Sequence, residues 1–149
     1  MKTTPIEKIY EAWTAVADPG RLVINPGSTP DEGSATVASS DGSKHYSITW
    51  RDGGSIFTST DAATRWQGYA GYPVVAVLMA LGRIPLCMEM ARHFAGINWT
   101  ELNKAHKRDY AAAVAAVERQ RGIDPAAAEA AAAEAYEALR GLNLTLKRK

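Results

Sequence analysis

The sequence predicts an α+β fold, a two-layer sandwich in which a four-stranded antiparallel meander carries an N-terminal helix and several C-terminal helices. Three observations lead there. Apolar residues near the start recur at helical spacing, residues 21–59 switch to short alternating runs separated by turn residues, and from residue 60 onward the helical period returns and persists. Strands that alternate give a sheet one greasy face, and helices segregated to that face close the second layer.

The first helix rests on Ile6, Ile9, Tyr10, Trp13, Val16 and Ala17, with Glu7, Lys8 and Glu11 on the opposite side. Asp18-Pro19-Gly20 stops it. Strands are expected over Arg21–Asn25, Ser34–Ser39, Lys44–Trp50 and Ser55–Ser59, all rich in Val, Ile, Thr or aromatic residues. The clearest is KHYSITW, where Tyr46, Ile48 and Trp50 alternate with His45, Ser47 and Thr49. Asp41-Gly42 and Asp52-Gly53 suit tight hairpins because these residues tolerate positive φ.

Thr60-Asp61 can cap a short helix through Trp66, and Pro73 can open a helix over Val74–Leu81 that is apolar all round and therefore buried on every side. Another helix spans Pro85–Phe94. Asn98 with Glu101 resembles a capping box and is expected to start one long helix to about Arg121. Gly122-Ile123 fits a Schellman ending, and Asp124-Pro125 opens an alanine-rich helix of strong propensity with few large apolar groups. The tail LNLTLKRK can add an edge strand or remain frayed. Residues 1–122 read as the sandwich domain, and 123–149 as an appended helix and basic tail.

A chain of 149 residues is long enough for one core without metal or disulfide staples, and its net charge of +1 gives little field for avid, unspecific nucleic-acid binding. The single cysteine, Cys87, excludes an internal disulfide, which suits a reducing cytoplasm; it reads as a small buried hydrophobe beside Leu86 and Met88. The start carries Glu7 and Glu11 where a signal peptide would be apolar, and the apolar run 73–81 is half of a membrane span. Neither export nor membrane insertion is expected.

Catalytic and metal constellations do not emerge. His45, His93 and His106 lack ligand spacing, and no nucleophile elbow, phosphate loop or dinucleotide fingerprint is present. No catalytic residue, metal ligand or cofactor is therefore assigned. Two stretches can carry binding. Arg65, Trp66, Gly68, Tyr69, Gly71 and Tyr72 concentrate aromatic groups and an arginine ahead of a helix whose N–H groups can receive an anion. A four-residue glycine frame there resembles a nucleic-acid clamp, but its middle pair is Tyr-Ala, and a packing corner is the stronger reading. Lys104, Lys107 and Arg108 would form a basic ridge on the outward side of the long helix.

The stretches EKIYEAW, ATVASSDGSKHYSITW, TRWQGYAGYPVVAVLMALGRIPL and FAGINWTELNKAHKRDY together resemble a family of small prokaryotic, archaeal-type proteins of unknown function. That resemblance covers roughly residues 6–110 and leaves the alanine-rich segment outside. It implies a compact sandwich with the GYxGYP turn as its landmark, and implies no activity.

The expectation is thus a cytoplasmic, non-enzymatic binding or interaction module, with weak nucleic-acid binding, a protein partner, or self-association through the C-terminal helix open to it. The alternative is a small-ligand receptor or enzyme with a pocket between sheet and helices, lined by Trp50, Trp66 and Tyr69.

Overall fold

A computed structural model describes residues 1–147 and has the α+β architecture. Helix α1, Glu7–Ala17, lays Ile9, Tyr10 and Trp13 into the core, where Tyr10 and Trp13 meet Phe94 in an aromatic cluster with centroids 5.0–5.4 Å apart. Strands β1 Leu22–Ile24, β2 Gly33–Ala38, β3 His45–Arg51 and β4 Ile56–Ser59 form the antiparallel meander, each bound within one residue of the sequence expectation. Asp52 at φ 56° and Gly53 at φ 69° make the β3–β4 turn left-handed.

Register decides which face is buried. Val37 pairs with Tyr46, Ala35 with Ile48 and Trp50 with Phe57, so one face is continuous apolar surface. Thr36, Ser47, Thr49 and Thr58 fall on the other face, where each is half-buried, and the Thr49 and Thr58 hydroxyls bond across it.

A fifth strand joins this sheet. Strand β5, Thr145–Lys147, pairs parallel with β4, placing Leu146 opposite Phe57. The Thr145–Lys147 part of the tail thus supplies an edge strand; positions 148 and 149 lie outside the described residues.

Helix α2, Tyr72–Ala80, is the centre of the helical layer. Val74 to Met79 are buried on all sides, packed between α1 and the sheet. Helix α3 is short, Met88–His93, and Cys87 just before it is exposed. This corrects the expectation of a buried thiol: Ala91 and Phe94 carry the inward contacts, and the Cys87 side chain stays outside.

The long helix expected over 98–121 is two helices. Asn98 caps α4, Trp99–Ala105, by accepting from the Glu101 N–H at 3.1 Å, and Asp109 caps α5, Tyr110–Arg121, by accepting from the Ala112 N–H at 3.1 Å. Between them Lys107 and Arg108 sit at φ 54° and 65°, a left-handed turn that no helix can run through. Asp109 is an N-cap residue type, and its competing cap is the local signal for the break.

Helix α6, Pro125–Gly141, is capped by Asp124 accepting from the Ala126 N–H at 3.1 Å. Its small face, Ala128, Ala132 and Ala135, is buried with Leu139, and the helix packs on α1. Small side chains permit this close approach and join the same core cluster as the sheet.

Candidate functional site

The segment between β4 and α2 is built by side-chain bonds to backbone. The Asp61 carboxylate accepts from the Ser59 hydroxyl and, at 3.0 Å, from the Thr64 N–H; Thr64 Oγ1 accepts from the Gly71 N–H at 3.0 Å. Between these anchors Ala63–Gln67 forms one turn of π-helix, closed by Gly68 N–H to the Ala63 carbonyl at 3.0 Å. Such wide turns concentrate at functional sites because they bulge side chains outward. Gly68, at φ 79°, ends the turn without side-chain strain.

The N-terminal segment straps this loop. Lys2 N–H donates to the Gly68 carbonyl at 2.9 Å, and the Thr4 hydroxyl donates to the Ala70 carbonyl at 3.1 Å. With β5 on the far side, a groove of about 330 Å³ opens between strap, π-turn and strand. Lys2, Arg65 and Lys147 line it with Trp66, and no acidic side chain does so among the described residues.

Trp66 is 59% exposed, whereas Trp13, Trp50 and Trp99 are each at most 3% exposed. The Arg65 guanidinium lies 4.8 Å from the Trp66 ring centroid, a cation–π arrangement that keeps the indole face beside a positive charge. The Lys2 stem runs over Gly68, where a Cβ would lie 3.7 Å from Lys2 Cδ.

The structure divides the residues expected around the turn. Arg65, Trp66 and Gly68 share the groove. Gly71 is buried, and a Cβ there would collide with the Asp61 carboxylate. An anion of the chain's own therefore already faces the start of α2, in the place where a bound anion was considered. Tyr69 is half-buried, with burial pushing its phenol up.

Tyr72 turns to the sheet. Arg21 Nη2 donates to its hydroxyl at 3.4 Å, Tyr46 meets its ring edge-on at 6.3 Å, and burial pushes its phenol far up despite the nearby Arg21 charge.

Trp66 and Trp50 line two different grooves, Trp66 with Lys2 and Lys147 and Trp50 with Gly33 and Arg51. Trp50 stacks on Phe57 with centroids 5.9 Å apart and donates its indole N–H to the Thr29 carbonyl at 2.7 Å, which holds it in the core face of the sheet.

Lys104, Lys107 and Arg108 are exposed, but the left-handed turn places the latter two outside both helices, so they form a cluster around a corner and not a helix-face ridge. Lys2 and Lys147 were missed by sequence reasoning. Nothing local marks them, because chain ends 145 residues apart meet only through the β4–β5 pairing and the strap on Gly68.

No group of three or more His, Cys, Asp or Glu among the described residues could hold a metal ion, and no helix is long and apolar enough to cross a membrane. The model of a family described as "Uncharacterised conserved protein UCP014422" matches residues 1–145. The chain belongs to that family. Family membership thus extends well past residue 110, taking in α6 and the start of β5, which the sequence resemblance had left outside. No curated protein and no solved structure matches the chain.

Proposed function

We propose that this UCP014422-family protein is a cytoplasmic, non-enzymatic binding module that takes a single-stranded nucleic acid in the Arg65–Trp66 groove. The carrying observation is an exposed indole with a guanidinium at 4.8 Å, in a groove with three cations and no acid among its described lining residues. A flat aromatic face offers stacking to any base, worth about 1–3 kcal/mol per base, while neighbouring cations meet the phosphates. The net charge of +1 makes the attraction local and the affinity modest. The GYxGYP turn serves this reading as a scaffold: Gly71 and Tyr72 hold the loop's far end while its near end presents Arg65 and Trp66. Lys104, Lys107 and Arg108 offer further phosphate contacts at the α4–α5 corner.

The test is a fluorescence titration of the full chain with a short oligothymidylate at low and moderate salt. Because the other three indoles are buried, quenching reports Trp66. Quenching is expected, with log affinity falling against log salt at a slope of about −2 for three phosphate contacts. Trp66→Ala should weaken binding, measured by anisotropy of a labelled strand, by about 5- to 100-fold. Absence of binding at low salt, or undiminished binding by Trp66→Ala, overturns the proposal.

A further inference from the structure

A second cleft lies between α1, α5 and α6, away from the residues of the Trp66 groove. It encloses about 260 Å³; Ile6, Val114 and Pro125 supply apolar wall, and Glu7, Glu118 and Glu129 bring one carboxylate from each helix. No lysine or arginine lines it among the described residues. Lys8, next to Glu7, is engaged by Glu11 at 3.2 Å, and Arg119, next to Glu118, forms no ion pair among the described residues.

Three acids alone would be an ordinary surface. Glu118, however, is only 8% exposed, and among the described residues its carboxylate has no hydrogen bond or ion pair. Burial pushes that carboxyl above its ordinary range, and Glu129 and Asp124 push it the same way. Tyr10, 6% exposed and also without a side-chain hydrogen-bond partner among the described residues, places its phenol on the same cleft; burial, with Glu118, Glu129 and Glu7 adding to it, pushes this group up to about 12. A carboxylate on a largely buried residue, with other acids beside it and no counter-charge, is disfavoured, and an occupant that brings a cation and an apolar body would relieve it.

We propose that this cleft binds a small aliphatic polyamine, with methylene groups against Ile6 and Val114 and ammonium groups at Glu118, Glu129 and Glu7. The volume is below the range of drug-sized pockets, which suits a thin flexible chain. The half-apolar wall and the wide spacing of the acids, which are not grouped for a metal ion, distinguish this occupant from a divalent cation.

The experiment is thermal unfolding of the full chain with spermidine, compared with magnesium chloride and sodium chloride at matched ionic strength. Spermidine should raise Tm well beyond either salt, since a ligand selective for the folded state stabilises it. Glu118→Gln should fold with unchanged or higher Tm, because it removes a repelled charge, and should bind spermidine about tenfold more weakly. A wild-type amide chemical-shift map gives an independent readout: shifts confined to Ile6, Glu7, Tyr10, Ala111 and Glu129 support the site. An equal Tm gain with magnesium, full spermidine response in Glu118→Gln, or shifts located elsewhere overturns it. None of these outcomes bears on Trp66, so the two proposals stand or fall separately.

Discussion

Trp99 donates its indole N–H to the hydroxyl of Thr14, 2.8 Å away and 85 residues earlier in the chain. Thr14 in turn donates to the Phe94 carbonyl, so one buried hydroxyl ties α1 to the end of α3 and the first turn of α4. Thr14→Val keeps the shape and strands both partners. Each buried group left unsatisfied costs about 1–3 kcal/mol, so a total loss of about 2–6 kcal/mol is expected in urea unfolding. A change below about 0.5 kcal/mol would show that the bridge is dispensable.

Gly71 has no room for a methyl group because the Asp61 carboxylate occupies its Cβ position. Its φ of −72° is ordinary, so the constraint is contact and not backbone strain. Gly71→Ala should destabilise by about 1–3 kcal/mol, the usual cost of overpacking. A thermal or urea melt checks this, and the Trp66 groove should open or shift with it, seen as a change in indole emission.

Lys8 and Glu11 form a buried pair at 3.2 Å, with the Lys8 ammonium 4.4 Å from the Tyr110 ring centroid. Burial pushes the Glu11 carboxyl up, and Lys8 pulls it back only partly. Lys8→Met leaves that carboxylate without its cation and should cost about 3–5 kcal/mol at neutral pH, most of it recovered in Lys8→Met/Glu11→Leu. The sign of the pH effect follows. A folded-state pKa above the unfolded 4.5 means the folded chain holds the proton more tightly, so Lys8→Met gains stability as pH falls, in full below 4.5. Urea melts across that range in the single and double variants should diverge at high pH and converge at low pH.

Asp41 in the β2–β3 turn accepts from the Ser43 N–H at 3.0 Å, the Ser43 hydroxyl at 2.7 Å and the Ser39 hydroxyl at 2.8 Å. These bonds, the Ser43 backbone bond foremost, hold its carboxyl down at about 2 against an ordinary 3.8. Its contribution is present above 3.8 and is lost as pH falls toward 2. Carboxyl carbon shifts followed by NMR should give a midpoint near 2 for Asp41, and Ser43→Ala should move it upward.

Removing residues 124–149 would uncover the α1 surface beneath α6 and make β4 an open edge. Loss of Leu139 and Leu144 burial alone is worth about 3–6 kcal/mol. The truncated chain should melt at a clearly lower temperature or associate through the uncovered face, measured by calorimetry and mass in solution. An unchanged Tm would show that the segment only decorates the fold.

Periodicity was enough for the meander and for the buried helix, because a pattern such as Tyr46-Ser47-Ile48-Thr49-Trp50 permits only one face inward, and Val74–Met79 permits no wet side at all. Caps were legible where a side chain bonds its own neighbourhood, as at Asn98, Asp124 and the Gly122-Ile123 ending, where Ile123 N–H reaches the Glu118 carbonyl at 2.9 Å. The α4–α5 break was misread because helical spacing continues across Lys107 and Arg108; only the cap at Asp109 competes with it.

Exposure of aromatic residues was not legible, since tryptophan and tyrosine serve cores and surfaces alike. By itself the sequence determined the α+β order, the greasy sheet face and Arg65 and Trp66 as side chains to watch. The tertiary structure decided that Trp66 faces outward while Tyr72 turns to Arg21, that Lys2 and Lys147 flank the groove, and that Glu7, Glu118 and Glu129 line one cleft. The physical reason is range: local pattern reports each residue's neighbours within a turn or a strand, whereas a groove is formed by segments that become neighbours only when the core between them closes.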